Sequence, residues 1–172
     1  MRVILCGPPM SGKSHFGKRA AEHLKLPFID VDLLIEQANS MTCRDMALTY
    51  GDFVFRQKEQ EAILGLSQKI NAVIAIGGGA LEKSENANHL KRIGTLIYLQ
   101  TPISKLLERL RVRKKTYSYL NIEDPESHFC ELIKKRSKNY ETYADYIINT
   151  ALQSEETILE AICKIGGNCG KQ

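Results

Sequence analysis

The apolar run Arg2 to Cys6 leads directly into Gly7-Pro8-Pro9-Met10-Ser11-Gly12-Lys13-Ser14-His15. Residues Gly7 to Ser14 match G-x-x-x-x-G-K-[ST] at every fixed position. This pattern demands a short buried strand, a tight glycine-bearing turn and a helix leaving it. Phe16, Ala20 and Leu24 then recur along one face of the expected helix. The residue types have a physical reason. Glycines let successive backbone N–H groups turn inward around an anion. The helix directs the positive end of its dipole at the same anion. Lys13 can reach the β- and γ-phosphates of a nucleotide, and the Ser14 hydroxyl can ligate magnesium. The loop predicts a phosphate-binding α/β protein. It does not say what is done with the phosphate, because GTPases, ATPases and small-molecule kinases all carry it.

The rest of the chain reads as one alternating unit. Short apolar runs at Leu26 to Asp30, Ala72 to Ile76, Thr95 to Leu99 and Tyr146 to Ile148 are expected strands. Helical spacing is expected over Asp32 to Ala38, about Asp52 to Ile70, from near Pro125, and Glu155 to Ile165. Thr101 reads as an N-cap with Pro102 at the first helical position, followed by Ile103, Leu106, Leu107 and Leu110. Such alternation implies a parallel sheet covered on both faces. At 172 residues the chain suits a single domain, 1–172, with a tail at 166–172 expected to be disordered.

Composition narrows the partners. A net charge of +4 suits an anionic ligand and is too weak to argue for nucleic acid. The five cysteines are scattered without C-x-x-C spacing, which points to free thiols in a reducing compartment. The N-terminal MRVILCG is too short for a signal-peptide core, and no apolar run reaches membrane-span length. A cytoplasmic protein with no membrane partner is expected.

Several constellations outside the loop can carry chemistry, each with a plainer alternative. Asp30 and Asp32 end the second expected strand, where open α/β sheets bind ligands; Asp32 would equally serve as the cap of the next helix. Gly77-Gly78-Gly79 follows the apolar run NAVIAI, as a ligand-approaching turn or a flexible one. Arg56 and Glu59 are three apart, and their pairing would hold a guanidinium for a carboxylate or form a solvated surface pair. Arg136 shares a helical stripe with Phe129, Leu132, Ile133 and Tyr140, so it must snorkel, find a partner or face a pocket. The run Arg109, Arg111, Arg113, Lys114 and Lys115 is either a solvated helix face or a lid over a transferring phosphate.

Taken in order, these segments resemble shikimate kinase over roughly residues 1 to 165. The carrying residues are the loop, Phe28 to Asp32 with Glu36, Gly51 to Arg56 with Glu59, Gly77 to Gly79, and Arg136 to Tyr140 with Asp145 behind. The resemblance implies a three-layer sandwich around a five-stranded parallel sheet of order 2-3-1-4-5, with a lid at about 111–124. It implies that Gly7 to His15 and Arg109 bind ATP. Ser14 would hold Mg2+, with Asp30 contributing through water. Asp32 would be the general base and, with Phe55, Arg56, Gly77, Gly78, Gly79 and Arg136, would bind shikimate. Lys13 and Lys115 would join Asp32 as catalytic residues. A monomer acting on shikimate and ATP, without nucleic acid, is expected.

The chain also departs from the family pattern. Met10 stands where another loop glycine is usual, and Asp52 replaces a glutamate. The lid's Arg-Pro-Leu-Leu is missing, with Lys115 before Thr116-Tyr117-Ser118-Tyr119-Leu120 as nearest counterpart. Gluconate and nucleoside monophosphate kinases are the rival enzymes. A nucleotide-dependent nucleic-acid-binding ATPase is the rival from another class. A switch GTPase would need Asn-Lys-x-Asp, which the sequence lacks.

Overall fold

A computed structural model describes residues 2–66, 70–113 and 124–168. Five strands, β1 (Arg2–Cys6), β2 (Phe28–Asp30), β3 (Ala72–Ala75), β4 (Thr95–Gln100) and β5 (Tyr146–Asn149), form one parallel sheet in the order β2-β3-β1-β4-β5. The expected strand order and sheet type are therefore observed. The helices are α1 (Lys13–Leu24), α2 (Val31–Asn39), α3 (Cys43–Leu64), α4 (Ser84–Ile93), α5 (Ile103–Arg113), α6 (Pro125–Tyr143) and α7 (Glu155–Asn168), with a 3-10 turn at Ala80–Glu82.

Side-chain alternation along β1 explains the three layers. Ile4 and Cys6 point to one face, where Val31, Ile35, Ile63, Leu90 and Tyr140 complete a core under α2, α3, α4 and α6. Val3 and Leu5 point to the other, where Phe16, Ala20, Ile158 and Ile162 of α1 and α7 cover them. β1 is the central strand and all five of its residues are buried. Each fully buried aliphatic side chain contributes about 1.5–3 kcal/mol. A third cluster, Leu106, Leu110, Phe129 and Ile133, packs α5 on α6 with Met10 of the loop against it.

Several boundaries differ from the sequence-based expectation for identifiable reasons. α3 begins at Cys43, capped by Thr42, whose hydroxyl accepts from the Asp45 N–H at 3.0 Å. It breaks at Gly51 (φ 85°, ψ 160°) and ends at Leu64, well before Ile70. Thr101 does not cap α5. Its hydroxyl lies 2.7 Å from that of buried Thr150, and the helix takes its carbonyl from Pro102 instead. α4 carries little sequence signal, because Ser84 to Ile93 is mostly polar and its buried side has just three apolar residues, Ala87, Leu90 and Ile93, beside Asn86. α7 continues through Gly166 and Gly167 to Asn168, so the helix takes three residues expected in the tail. Among the described residues no helix is long and apolar enough to cross a membrane.

Candidate active site

The loop between β1 and α1 has the cradle conformation that its sequence demands. Gly12 sits at φ 94° at the N-terminus of α1, a left-handed conformation that glycine adopts without a Cβ clash. The Lys13 ammonium donates to the carbonyls of Gly7 and Pro8, each at 2.9 Å. Met10 also sits at positive φ, 68°, which costs a non-glycine residue on the order of 1 kcal/mol. This is the physical reason that a glycine is the expected occupant. The chain compensates by packing the Met10 side chain on the α5–α6 cluster, while Arg109 Nη1 donates to the Met10 carbonyl at 2.7 Å.

Beside the loop, the two aspartates have separate roles. Asp30, not Asp32, caps α2: its Oδ1 accepts from the Asp32 N–H at 3.2 Å. Its other oxygen accepts from the Ser14 hydroxyl at 2.7 Å. Asp32 lies in the first turn of α2 and lines a cavity of about 690 Å³ with Lys13 and Ser14. Burial pushes the Asp32 carboxyl up to about 6, with Glu59 and Asp30 adding repulsion and Lys13 opposing them. Burial likewise lowers the Lys13 pKa, opposed mainly by Asp32. The two groups form a coupled pair on the cavity wall.

The same cavity is lined by two guanidinium groups. Arg56 Nη1 donates to Glu59 Oε2 at 2.8 Å, its Nε lies 3.6 Å from Asp52, and its Cζ sits 5.0 Å over the Phe55 ring. Glu59 is 1% exposed, so this is a buried ion pair rather than the solvated alternative. Arg136 is 6% exposed and is held by Glu82 Oε1, 2.6 Å from its Nε. It has a partner and also lines the cavity. The triple glycine is a close-approach segment. A Cβ on Gly79 would lie 2.3 Å from Arg56 Nη1, and one on Gly77 would lie 2.5 Å from Glu59 Oε1 and 2.9 Å from Asp32 Oδ1. That same Glu59 Oε1 is buried and has no hydrogen-bond partner among the described residues. The Tyr140 hydroxyl anchors the segment by donating to the Gly78 carbonyl.

A second cavity, of about 540 Å³, opens on the other side of Lys13 and Met10. Gly12, Ser14, His15, Lys105, Arg109, Thr150, Gln153 and Glu155 line it. Glu155 pairs with Arg19 at 2.9 Å and lies 3.2 Å from His15 Nε2.

The structure thus gathers Lys13, Ser14, Asp30, Asp32, Phe55, Arg56, Gly77, Gly78, Gly79 and Arg136 around one cavity, and His15 and Arg109 around the next. Lys114 and Lys115 lie outside the described residues, as does most of the expected lid. Glu82, Thr42, Cys43, Gln153 and Glu155 were not singled out from sequence. Folding brings Thr42 and Cys43 to the first cavity and Gln153 and Glu155 to the second, while Glu82 lines neither and acts on Arg136. Cys43 is no candidate nucleophile, because burial and nearby carboxylates hold its thiol up at about 12.

The chain is similar to known proteins over nearly its whole length. The family model described as shikimate kinase matches residues 9–165. A shikimate kinase of Histophilus somni is 36% identical over 166 residues, covering 96% of this chain and 95% of its own. One of Psychromonas ingrahamii is 37% identical over 163 residues, covering 93% of each. The solved shikimate kinase of Acinetobacter baumannii, in complex with shikimate, superposes with a TM-score of 0.88 at 29% identity, over 99% of this chain and 95% of that one. With the family match spanning nearly the whole chain and full-length relatives on every side, this chain belongs to the shikimate kinase family.

Proposed function

We propose that the chain transfers the γ-phosphate of ATP to the 3-hydroxyl of shikimate, giving shikimate 3-phosphate and ADP, with Asp32 as base and Arg56 and Arg136 as the carboxylate clamp. One observation carries the reading. One cavity is lined both by the Asp32 carboxylate with Lys13 and by two guanidinium groups, each held by a carboxylate. A small polyhydroxy acid matches both sets of groups. Its carboxylate suits the arginines, and a hydroxyl suits the buried, unpartnered Glu59 Oε1.

The roles follow from charge and position. ATP is the phosphoryl donor, its phosphates cradled by Gly7 to Ser14, with His15 and Arg109 beside the base and ribose. Ser14 and Asp30 offer hard oxygens 2.7 Å apart, which suit Mg2+ held by one hydroxyl and a water-bridged carboxylate. When bound, Mg2+ neutralises charge on the β- and γ-phosphates. Lys13 would leave the Gly7 and Pro8 carbonyls for phosphate oxygens. Asp32, ionised at neutral pH, would orient the attacking hydroxyl and take its proton. Gly77 to Gly79 and Phe55 would line the acceptor. Lys115 remains the proposed lid cation. A monomeric, cytoplasmic single-domain enzyme, with neither nucleic acid nor membrane as partner, belongs to the same proposal.

A coupled ADP-release assay with shikimate, gluconate, AMP and CMP side by side tests it. Turnover with shikimate is expected. Turnover with one of the others and none with shikimate would overturn the assignment.

A further inference from the structure

The triple glycine runs straight into the 3-10 turn Ala80–Glu82, with Ala80 N–H donating to the Gly77 carbonyl and Glu82 N–H to that of Gly79 at 2.9 Å. α6 holds this segment at two points one helical turn apart. Tyr140 donates to the Gly78 carbonyl, and Arg136 Nε donates to Glu82 Oε1 at 2.6 Å. We propose that Glu82 is a positioning residue for acceptor recognition, fixing Arg136 through Nε so that its two terminal nitrogens serve the acceptor carboxylate. This rests on the carboxylate role given to Arg136 above.

The geometry separates this pair from an ordinary ion pair. The Arg136 side chain is 7% exposed, so its guanidinium has little freedom beyond the cavity it lines. A carboxylate across both terminal nitrogens would occupy the fork that binds the acceptor. One on Nε orients the fork and leaves it open. Glu59 holds Arg56 differently, through Nη1. Glu59 is the main group raising the Arg56 pKa, with Glu82 a lesser contributor, so the Glu82 charge reaches Arg56 as well. Its second oxygen is only loosely engaged, 3.8 Å from Lys135 Nζ, and its side chain is 28% exposed. The contact also ties Arg136 to the acceptor-lining glycines, so both walls keep one register.

Steady-state kinetics of wild type, Glu82→Ala and Glu82→Gln test this, with shikimate and ATP varied separately and thermal melts in parallel. Glu82→Ala is expected to raise the shikimate KM about 10-fold while kcat and the ATP KM stay within about 2-fold. Glu82→Gln keeps an oxygen that can accept from Nε, so it restores most of the shikimate KM. An unchanged shikimate KM in Glu82→Ala overturns the inference, as does a parallel rise of both KM values. A folded Glu82→Gln as impaired as Glu82→Ala overturns it too; that variant decides the matter if Glu82→Ala fails to fold. No wild-type turnover of shikimate overturns this inference and the functional reading together. A normal wild type with unaffected variants overturns the inference alone.

Discussion

The two cavities that meet at Lys13 are built differently. The cavity proposed for the acceptor holds charges that the fold has buried and paired: Glu59 at 1% exposure, Arg136 at 6%, Arg56 beside them. The second cavity is edged by side chains left in water, with His15 at 52% and Glu155 at 60% exposure. The acceptor side is therefore oriented before any ligand arrives, in surroundings where hydrogen bonds to charge are strong. The side proposed for the nucleotide would rely on backbone N–H groups, which few side-chain substitutions remove. Substitutions should consequently act harshly and selectively on one side and mildly on the other.

The sharpest way to break this contrast is at the shared boundary. Asp32→Asn should lower kcat at least about 100-fold with the ATP KM nearly unchanged. A loss confined to ATP binding would place Asp32 on the wrong side of the contrast. Next in size, Arg136→Ala should raise the shikimate KM about 100-fold and the ATP KM less than about 3-fold, as measured by separate titrations. Equal effects on both substrates would remove its carboxylate role. Gly79→Ala should follow, at about 10-fold on the shikimate KM with the ATP KM within about 2-fold and a lowered melting temperature, because buried Glu59 loses part of its pairing. Its Cβ would displace the end of the Arg56 side chain, which can move, rather than backbone, which cannot.

The pH dependence sharpens the same point. Asp32 must be ionised to accept a proton, and its carboxyl is pushed up to about 6. kcat/KM for shikimate should fall as pH drops below about 6, approaching tenfold per unit, and level off above. The sign on stability is the reverse. A carboxyl raised from 3.8 costs the fold stability while ionised, and that cost disappears as pH falls from about 6 toward 3.8. An acid limb still present in Asp32→Asn would assign it to another group. Smallest of all, Glu155→Ala should change the ATP KM by less than about 3-fold, because its ion pairs are solvated. A large effect there would show that the nucleotide side is also pre-ordered by charge.

Much of the fold and part of the site were legible in the residues. The strands are short apolar runs, with glycines soon after β1 and β3 and an aspartate ending β2, and their order followed from the resemblance that the motifs carried. Gly12 and the cost of Met10 were legible because a tight loop is local: each residue's φ is set by its immediate neighbours. The choice between Asp30 and Asp32 as cap was not legible. Both are one or two positions from the helix start, and only the backbone path shows which side chain turns back on the Asp32 N–H. Arg56 with Glu59 was visible as spacing, but not as a buried pair, because burial depends on the triple glycine that the fold brings against it.

What the sequence by itself determined is the phosphate cradle, Gly7 to Ser14, and with it a parallel α/β sheet. Those rest on interactions between residues a few positions apart, and a motif records them. What only the tertiary structure decided is the acceptor end. Arg136 meets Glu82 across 54 residues and Tyr140 meets Gly78 across 62. Met10 meets α5 and α6. Such contacts leave no spacing in the chain, because their partners are brought together by burying two apolar faces of one sheet, and the charged groups are carried into place with them.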